Sequence, residues 1–412
     1  MGTSRFVILG GGMVAGYAAK QMVELGLKAG ELAILSADDV VPYERPPLSK
    51  SYLAGKDTDD AIKISPDDFY RQHEIDVKLK SHVSAVDAKS KRLTLKSGEK
   101  ISFEKLVIAT GARPRLLNAP GTQLKGLHYL RSMDDSRNIR EHSQNAKRAV
   151  VIGGGFIGME VAAVLAQKDI EVTMVLGDDR IWKRLFSPEM SKFFADYYTA
   201  RGVRIIPSTT VTELRGDSTV SSVLLANGDT VACDLVVAGI GVEPVTDFLA
   251  GSGLEINNGI VVNEYLETNQ PGILAAGDVA NYQDVLFKKR RRVEHWDNAV
   301  SQGQHSARTL MGERAPFRHV PYFFSDVFDL SYEFWGDSSE ADQVVHRGDL
   351  SSKSFSTWWL RQERVVAGFV MSRPDEERDT APQWIEAQQK VSTKKLRDAS
   401  QPITAAAQPV AA

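Results

Sequence analysis

Cysteine is almost absent from this sequence. The 412 residues include a single one, Cys233, so no disulfide can form within the chain, and disulfide redox chemistry is excluded. Cys233 lies in a short apolar segment, residues 231–237, that is typical of a buried strand. We therefore interpret it as a structural thiol and not as a nucleophile.

Long apolar runs and an excess of one charge are also missing. No stretch approaches the roughly 18 apolar residues of a membrane-spanning helix, and the first strand pattern begins too near the N-terminus for a signal peptide. The net charge of −3 argues against general affinity for nucleic acid. These absences predict a cytoplasmic protein that binds neither membrane nor nucleic acid.

A glycine-rich turn near the start of the chain is the most informative local motif. Four apolar residues, 6–9, lead into Gly10-x-Gly12-x-x-Ala15, and a helical pattern follows. In such units the first glycine permits the turn, the second lets a pyrophosphate approach, and the third small residue lets the helix pack closely. The helix N-terminus attracts the phosphates. Asp38, after the next strand pattern, is suited to bind ribose hydroxyls.

The same device recurs in the middle of the chain. Gly153-x-Gly155-x-x-Gly158 is the full motif, again with a strand pattern before it and a helical pattern after it. Two such units predict two dinucleotides brought face to face, and the natural pair is a flavin and a nicotinamide dinucleotide. The alternative is an internal duplication in which one copy has degenerated.

These patterns predict an α/β protein with two Rossmann-like, three-layer ββα domains and a C-terminal α+β domain. A discontinuous FAD-binding domain would comprise residues 1–117 and 244–320, and an NAD(P)H-binding domain residues 118–243. Aromatic residues and alternating patterns predict the third domain over residues 321–400. The Pro- and Ala-rich residues 401–412 are predicted to be disordered.

Three further segments carry groups that suit a cofactor. The loop from Tyr43 to Lys50 holds cations beside prolines that restrict its backbone, although such a loop can also be an ordinary surface turn. Asp278 follows a buried strand pattern and can accept hydrogen bonds from sugar-alcohol hydroxyls. The small residues around Gly241 would let a flat ring lie against the backbone.

A run of five cations predicts a docking site for an acidic protein partner, which charge would steer. The alternative is a solvated loop. The run consists of Lys288, Lys289, Arg290, Arg291 and Arg292.

Together these motifs resemble a known family over residues 5 to about 390. It is the family of two-dinucleotide flavoproteins with the glutathione-reductase fold, in particular ferredoxin reductases of oxygenase systems and monodehydroascorbate reductase. The motifs that carry the resemblance are Tyr43-Glu44-Arg45-Pro46-Pro47-Leu48-Ser49-Lys50, Ala109-Thr110-Gly111, Gly277-Asp278 and Glu294-His295-Trp296-x-Asn298-Ala299.

The resemblance implies FAD and a nicotinamide dinucleotide as cofactors, and no metal. It implies that Lys50 pairs with Glu160 beside the reactive edge of the flavin, where opposite charges would order the site, and that Tyr322 lies next to the flavin. These three are the predicted catalytic residues. The predicted cofactor-binding residues are Gly10, Gly12, Ala15, Asp38, Arg45, Lys50, Val83, Ala109, Arg113, Gly153, Gly155, Gly158, Glu160, Asp178, Gly241, Asp278, Glu294 and Trp296.

Departures from the family pattern bear on the substrate. Disulfide-reducing relatives carry cysteine over the flavin, where this chain has Pro and Lys, so thiol chemistry is excluded. Plant monodehydroascorbate reductases use an arginine and a tyrosine for their radical substrate, and the aligned positions here are Val300 and Phe324. The loss of a cation and a hydroxyl weakens that assignment. Ferredoxin reductases, in contrast, share the Trp-x-Asn-Ala motif and Ser325-Asp326.

The nicotinamide cofactor is predicted to be NADH, with NADPH as the alternative. Leu176 stands where many NADH-using relatives have Glu. Asp178 and Asp179 can nevertheless accept from a ribose hydroxyl and repel a 2′-phosphate, whereas Arg180 would attract that phosphate.

The sequence therefore predicts an NAD(P)H-dependent FAD oxidoreductase. Hydride would pass from the nicotinamide to the flavin, and single electrons would then pass to a ferredoxin-type iron–sulfur protein. One alternative is reduction of a small molecule, monodehydroascorbate or a quinone. Another, of a different class, is a redox signalling flavoprotein like apoptosis-inducing factor.

Overall fold

The structure is a computed structural model that describes residues 3–409. Within these residues the chain forms two compact units. The first comprises residues 3–46, 58–113 and 242–321, and the second comprises residues 47–57, 114–241 and 322–409.

The regular elements of the described residues are numbered in chain order. The α-helices are α1 (Met13–Glu24), α2 (Asp67–Gln72), α3 (Met133–Ser143), α4 (Phe156–Ala166), α5 (Pro188–Thr199), α6 (Trp296–Met311), α7 (Asp375–Glu386) and α8 (Thr393–Arg397). The strands are β1 (Thr3–Leu9), β2 (Leu32–Leu35), β3 (Asp76–Lys78), β4 (Val83–Asp87), β5 (Arg92–Leu95), β6 (Lys100–Ile108), β7 (Ala112–Pro114), β8 (Leu127–His128), β9 (Arg148–Ile152), β10 (Glu171–Val175), β11 (Arg204–Ile206), β12 (Val211–Arg215), β13 (Ser222–Leu225), β14 (Thr230–Ala232), β15 (Leu235–Ala238), β16 (Val242–Pro244), β17 (Ile260–Val262), β18 (Ile273–Ala275), β19 (Ala280–Asp284), β20 (Lys289–Arg291), β21 (Tyr322–Val327), β22 (Leu330–Gly336), β23 (Gln343–Asp349), β24 (Ser354–Arg361) and β25 (Arg364–Met371).

The first unit is built on a sheet with β1 at its centre. Its strand order is β3-β2-β1-β6-β5-β4, with β18 also paired to β6. Strand β1 runs parallel to both β2 and β6, and its residues Phe6 to Leu9 are at most 4% exposed. A strand that is buried on both faces reads as a continuous apolar run, which is why residues 6–9 show no alternation. The carboxyl end of β1 leads directly into the first glycine turn.

The second unit repeats this arrangement around β9. Its parallel sheet has the order β11-β10-β9-β15-β8, and β9 leads into the second glycine turn and α4. An antiparallel sheet of β12, β13 and β14 follows in the chain. The prediction of two Rossmann-type units in an α/β protein is confirmed.

A third sheet, in the second unit, is antiparallel. Its order is β21-β22-β25-β24-β23, and α7 packs on β25. Both of its faces carry buried aromatic side chains: Phe334 and Phe369 pair in register on one face, and Trp358 lies on the other, each at most 2% exposed. Residues 114–241 and 322–409 belong to the same compact unit. The division of the chain into three domains at the predicted boundaries stays a prediction.

The predicted disorder of residues 401–412 is wrong for the part that the structure describes. Residues Ile403–Ala406 form a 3₁₀ turn, and Ile403 is fully buried. Arg347, which is 2% exposed, donates hydrogen bonds to the carbonyl oxygens of Leu396, Asp398 and Gln401. A buried cation that needs acceptors therefore orders this segment despite its composition. Residues 410–412 of this prediction lie outside the described residues.

Candidate functional site

The first glycine turn has a backbone that only glycine can adopt. Gly10 has φ +125°, and a Cβ added there would lie 2.2 Å from the carbonyl oxygen of Ala109. The N–H of Ala109 donates to the carbonyl oxygen of Leu9 at 2.7 Å. The ends of β1 and β6 thus meet at Gly10, and Ala109 contributes through its backbone. Both positions were predicted as cofactor-binding residues.

The second glycine of this turn leaves room for a ligand. A Cβ at Gly12 would have only the guanidinium of Arg45 within 4 Å, with Nη2 at 3.7 Å. Gly12 is also the N-cap of α1, which leaves the N–H groups of the first turn without a capping side chain. Exposed N–H groups, a positive helix end and the Arg45 cation fit a pyrophosphate. Ala15, fully buried, faces the core as predicted for the third small residue.

The turn between β9 and α4 shows the same geometry. Gly153 has φ +113°, and its Cβ would lie 2.2 Å from the carbonyl oxygen of Gly239. A Cβ at Gly158 would lie 2.2 Å from the carbonyl oxygen of Gly153, so glycine is required at both positions. A Cβ at Gly155, the N-cap of α4, would meet no atom within 4 Å. This opening at a helix N-terminus fits a second dinucleotide.

The carboxylate after β2 is held in place for recognition. Tyr43 donates from its hydroxyl to Asp38 Oδ2 at 2.8 Å, and the N–H of Asp39 donates to Oδ1 at 2.9 Å. A carboxylate has about four acceptor positions, so Asp38 retains capacity for ribose hydroxyls. The sequence reasoning missed Ser36, which is buried between β2 and the turn, where its Oγ would lie 2.1 Å from a Cβ at Gly11.

Glu44 connects two helices of the first unit, and sequence reasoning did not assign it a role. Tyr17 on α1 and Trp296 at the start of α6 each donate to its carboxylate at 2.6 Å. Burial and the nearby Glu44 carboxylate raise the pKa of Tyr17. The indole N–H of Trp296 is therefore directed to Glu44, so any contribution of Trp296 to a cofactor comes from its ring.

The turn that carries Asp278 is fixed by α6. Gly277 has φ +79° and donates its N–H to the Gln302 side chain at 2.7 Å. Asp278 is 9% exposed, and its carbonyl oxygen accepts from Arg292 at 2.9 Å. Gln302 is fully buried. The signal that could have identified Gln302 is a polar residue four positions after Asn298 on the buried face of α6.

The other predicted cofactor-binding residues of the first unit are tied to neighbours. Arg113 pairs with Glu243 at 2.8 Å and also with Asp247, although its side chain is 46% exposed. Glu294 pairs with Arg292. Val83 is a half-buried residue at the start of β4. These contacts show what holds each side chain, and their role toward a cofactor stays a prediction.

Two predicted residues of the second unit flank the ends of its parallel strands. Gly241 has φ +102° and accepts a hydrogen bond from the N–H of Arg115 at 2.9 Å. Asp178 is exposed after β10. Next to it, Asp179 lies 3.2 Å from Lys183 and 3.5 Å from Arg180. The Lys183 cation holds the pKa of Asp179 below its usual range.

Lys50 and Glu160 form the predicted ion pair, within the second unit. Lys50 Nζ lies 2.7 Å from Glu160 Oε1, and the two side chains are 14% and 4% exposed. Lys50 follows a 3₁₀ turn, and Glu160 lies in the second turn of α4. Burial of both charges together requires further hydrogen bonds to the carboxylate.

Two serines supply those hydrogen bonds. Ser49 donates to Glu160 Oε2, and Ser325 donates to Oε1 at 2.6 Å. The carboxylate therefore receives three donors from two segments that are remote from it in sequence, Ser49 and Lys50 from one and Ser325 from the other. Neither serine was predicted as a site residue, because the contacts join positions 111 and 165 residues apart.

The rings of Tyr322 and Phe324 lie on the face of β21 opposite to Ser325, because side chains alternate along a strand. Lys50 Nζ is 5.5 Å from the centroid of the Phe324 ring, a cation–π contact. Tyr322, a predicted catalytic residue, donates its hydroxyl to Glu333 at 2.7 Å, and its ring centroid is 5.3 Å from that of Trp335. Tyr322 thus offers a ring face, because its hydroxyl is directed to Glu333.

Two of the five cations in the basic run are paired inside the first unit. Arg291 pairs with the buried Asp284, and Arg292 pairs with Glu294, so their side chains are only 13% and 9% exposed. Arg290 donates to the carbonyl oxygens of residues 262 and 281. Because β20 pairs with β19, these side chains are used inside the first unit. Lys288 and Arg290 are nevertheless exposed.

Over its described residues, the structure also shows whether there is a reactive thiol, a metal site or a membrane-spanning helix. Cys233 is fully buried, and burial raises the pKa of its thiol to about 12. Across residues 3–409 no three His, Cys, Asp or Glu side chains group in a way that could hold a metal ion. None of the helices in that range has the length and apolar character needed to cross a membrane.

The two glycine turns, each at the carboxyl end of a parallel strand and the start of a helix, define a protein with two dinucleotide-binding units. Residues 4–303 match the pyridine nucleotide-disulphide oxidoreductase family, and residues 322–407 match the reductase C-terminal family. The chain belongs to the pyridine nucleotide-disulphide oxidoreductase family.

Known relatives and solved structures are similar over nearly the whole chain. Peroxisomal monodehydroascorbate reductase 4 of Arabidopsis thaliana is 37% identical over 91% of this chain and 80% of its own length. A putidaredoxin reductase in a covalent complex with putidaredoxin has a TM-score of 0.93 at 31% identity, covering 98% of each chain. The ferredoxin reductase for the CYP199A2 system of Rhodopseudomonas palustris has a TM-score of 0.93 at 32% identity, covering 98% of this chain and 100% of its own.

The family confirms the predicted class of enzyme. The protein is an NAD(P)H-dependent flavoprotein oxidoreductase that uses FAD and a nicotinamide dinucleotide. The residues present fit both cofactors, because the spaces at Gly12 and Gly155 are open and both helix N-termini lack a capping side chain.

Proposed function

We propose that this protein transfers electrons from NADH, through bound FAD, to an iron–sulfur protein of ferredoxin type. The observation that carries the proposal is the likeness to two reductases of redoxin or ferredoxin systems at a TM-score of 0.93 over 98% of the chain. The apolar Phe324 next to Lys50 agrees with it, since an electron can pass to a protein partner without a polar group to bind a small substrate.

The chain's own residues would bind and orient the cofactors. FAD would lie in the first unit, with its phosphates at Gly12 and Arg45, and the nicotinamide dinucleotide at Gly155. Bound FAD supplies the chemistry of accepting a hydride and releasing its electrons singly. The Lys50–Glu160 pair would lie beside the flavin edge, where it presents a cation that Glu160 and Phe324 hold in one position.

The preference for NADH is supported by the charges after β10. The Arg180 guanidinium is engaged with Asp179 at 3.5 Å and with the Lys183 carbonyl oxygen at 3.2 Å. A cation already paired with a carboxylate is a weaker site for a 2′-phosphate. The exposed Asp178 adds a second negative charge that repels this phosphate. We expect NADPH to have the higher KM.

Reduction of the monodehydroascorbate radical is the second candidate function. It is favoured by the 37% identity to the Arabidopsis enzyme over 91% of this chain. Phe324 and Val300 occupy the positions where the resemblance implies a tyrosine and an arginine for this substrate. Without that hydroxyl and cation, we expect this activity to be secondary.

The docking proposal is tested at Lys288, one of the two exposed cations of the run. Reversing its charge, Lys288→Glu, should slow reduction of an acidic ferredoxin and weaken the dependence of the rate on salt. Lys89→Glu makes the same charge change at another exposed position of the first unit and is the matched control. Equal rates in the two variants would remove Lys288 from the docking surface.

Anaerobic stopped-flow absorbance tests the proposed function. The oxidised protein would be mixed with NADH or NADPH, and the reduced protein with a ferredoxin, a quinone or enzymatically generated ascorbyl radical. The proposal predicts the fastest reduction with NADH and the fastest reoxidation with the ferredoxin. Faster reoxidation by ascorbyl radical would favour the second candidate.

A further inference from the structure

We propose that Ser325 is a positioning residue that fixes the Glu160 carboxylate against Lys50. This inference rests on the proposed function, in which the ion pair lies beside the flavin. It goes beyond the pair itself, because it assigns control of the pair's geometry to a residue of the C-terminal sheet.

The geometry around Glu160 supports this assignment. Oε1 is shared by Lys50 Nζ at 2.7 Å and Ser325 Oγ at 2.6 Å. Ser49 donates to the other oxygen. Since Lys50 and Ser325 contact the same oxygen, loss of the Ser325 hydroxyl acts on the atom that faces the lysine.

Ser325 is held in a sheet, whereas the other two donors lie at a 3₁₀ turn. It lies in β21 and pairs in register with Tyr332 of β22, and it is fully buried. Ser49 and Lys50, in contrast, are neighbours at the end of one short 3₁₀ turn. Without Ser325, both remaining donors belong to the same loop, so no donor from another segment fixes the carboxylate against Lys50. Sites hold their charged groups in a productive geometry only when supporting hydrogen bonds lock them.

The first test measures the accessibility of Lys50 directly. The full chain, as purified, would be treated with an amine-acylating reagent, and the rate of Lys50 modification would be followed by peptide mass spectrometry. We expect several-fold faster modification in Ser325→Ala than in the unaltered protein, because Lys50 is held less tightly. An unchanged rate would overturn the proposal.

A matched control is available in the same sheet. Ser356 in β24 is also fully buried and donates to a buried carboxylate, Glu377, at 2.5 Å. Ser356→Ala therefore removes the same kind of hydrogen bond away from Lys50, together with the acceptor of the Trp358 indole N–H at 3.0 Å. We expect no change in Lys50 modification. Equal acceleration in both variants would show a general loosening of the sheet and would contradict a specific role of Ser325.

The second test concerns the flavin. In Ser325→Ala we expect the midpoint potential to become more positive, since a displaced carboxylate neutralises the Lys50 charge less. The limiting rate of flavin reduction should fall about tenfold with an unchanged KM for NADH, and Ser325→Thr should restore both. In a Glu160→Gln background, Ser325→Ala should have little further effect. Additive effects would contradict action through Glu160.

The outcomes separate this inference from the proposed function. A protein without flavin would refute the proposed function, but the Lys50 modification rates would still decide the role of Ser325. If Ser325→Ala does not fold, Ser325→Cys keeps nearly the same shape with a weaker donor, and the same changes are expected at smaller size. Unchanged behaviour of the Cys variant would overturn the inference.

Discussion

Replacing Gly155 with alanine should weaken binding of the nicotinamide dinucleotide without unfolding the protein. Its φ is −87°, which any residue adopts, and the added Cβ meets no atom within 4 Å. Alanine in place of glycine at an N-cap costs less than about 1 kcal/mol. The new methyl group would occupy the space through which phosphate oxygens reach the backbone, so we expect at least a tenfold rise in Kd, about 1.4 kcal/mol.

Gly153→Ala, two residues earlier, is the contrasting variant. Its φ of +113° is strained for an L-residue, at about 1–2 kcal/mol, and its Cβ would lie 2.2 Å from the Gly239 carbonyl oxygen. Relief of that overlap adds about 1–3 kcal/mol. We therefore expect a loss of about 2–5 kcal/mol in the free energy of unfolding, which is the sum of the two ranges.

Urea unfolding and NADH titration distinguish the two variants. The expected result is a normal unfolding midpoint with weak NADH binding for Gly155→Ala, and a lowered midpoint for Gly153→Ala. Normal NADH affinity in Gly155→Ala would refute the assignment of this opening to a phosphate. Equal destabilisation by both substitutions would show that the turn is only structural.

Three further predictions concern stability. Arg347→Met should lower the free energy of unfolding by about 1–3 kcal/mol, because Arg373 still pairs with the buried Glu377 but the carbonyl oxygens of Leu396, Asp398 and Gln401 lose their donor. Limited proteolysis should then cut the C-terminal segment, and normal protease resistance would contradict the role given to this arginine. Glu44→Leu leaves the hydroxyl of Tyr17 and the indole N–H of Trp296 without their acceptor, so urea unfolding should show a free energy of unfolding lower by about 2–4 kcal/mol. Glu44→Gln keeps an acceptor and should lower it less, and equal losses would contradict this explanation. Burial, with His142 at 3.0 Å, lowers the pKa of His128 to about 4. The unfolded chain therefore binds a proton there that the folded chain does not, and stability should fall as the pH drops from about 6.5 toward 4; an equally steep fall in His128→Asn would disprove this contribution.

The two dinucleotide turns could be predicted because their signals are local. The strand, the glycine spacing and the helix lie within about a dozen residues. The positive φ of Gly10 and Gly153 requires the glycine that the motif places there. The α/β class follows from the same units. The resemblance supplied the Lys50–Glu160 pair, which spacing alone does not reveal.

Features that depend on distant partners could not be predicted. Ser325 and Glu160 are 165 positions apart, and no pattern in β21 distinguishes this serine from other buried ones. The inward position of Arg291 could not be predicted, because it depends on Asp284 and on the pairing of β19 with β20. The tail was misjudged because its order depends on a remote residue, Arg347.

Anaerobic titration of the purified protein with NADH, followed by an iron–sulfur ferredoxin, tests the central claim most directly. The account predicts that NADH bleaches the visible flavin absorption and that each NADH consumed then reduces two ferredoxin molecules by one electron each. Absence of a flavin band that NADH bleaches, or a bleached protein that leaves ferredoxin oxidised, would contradict it.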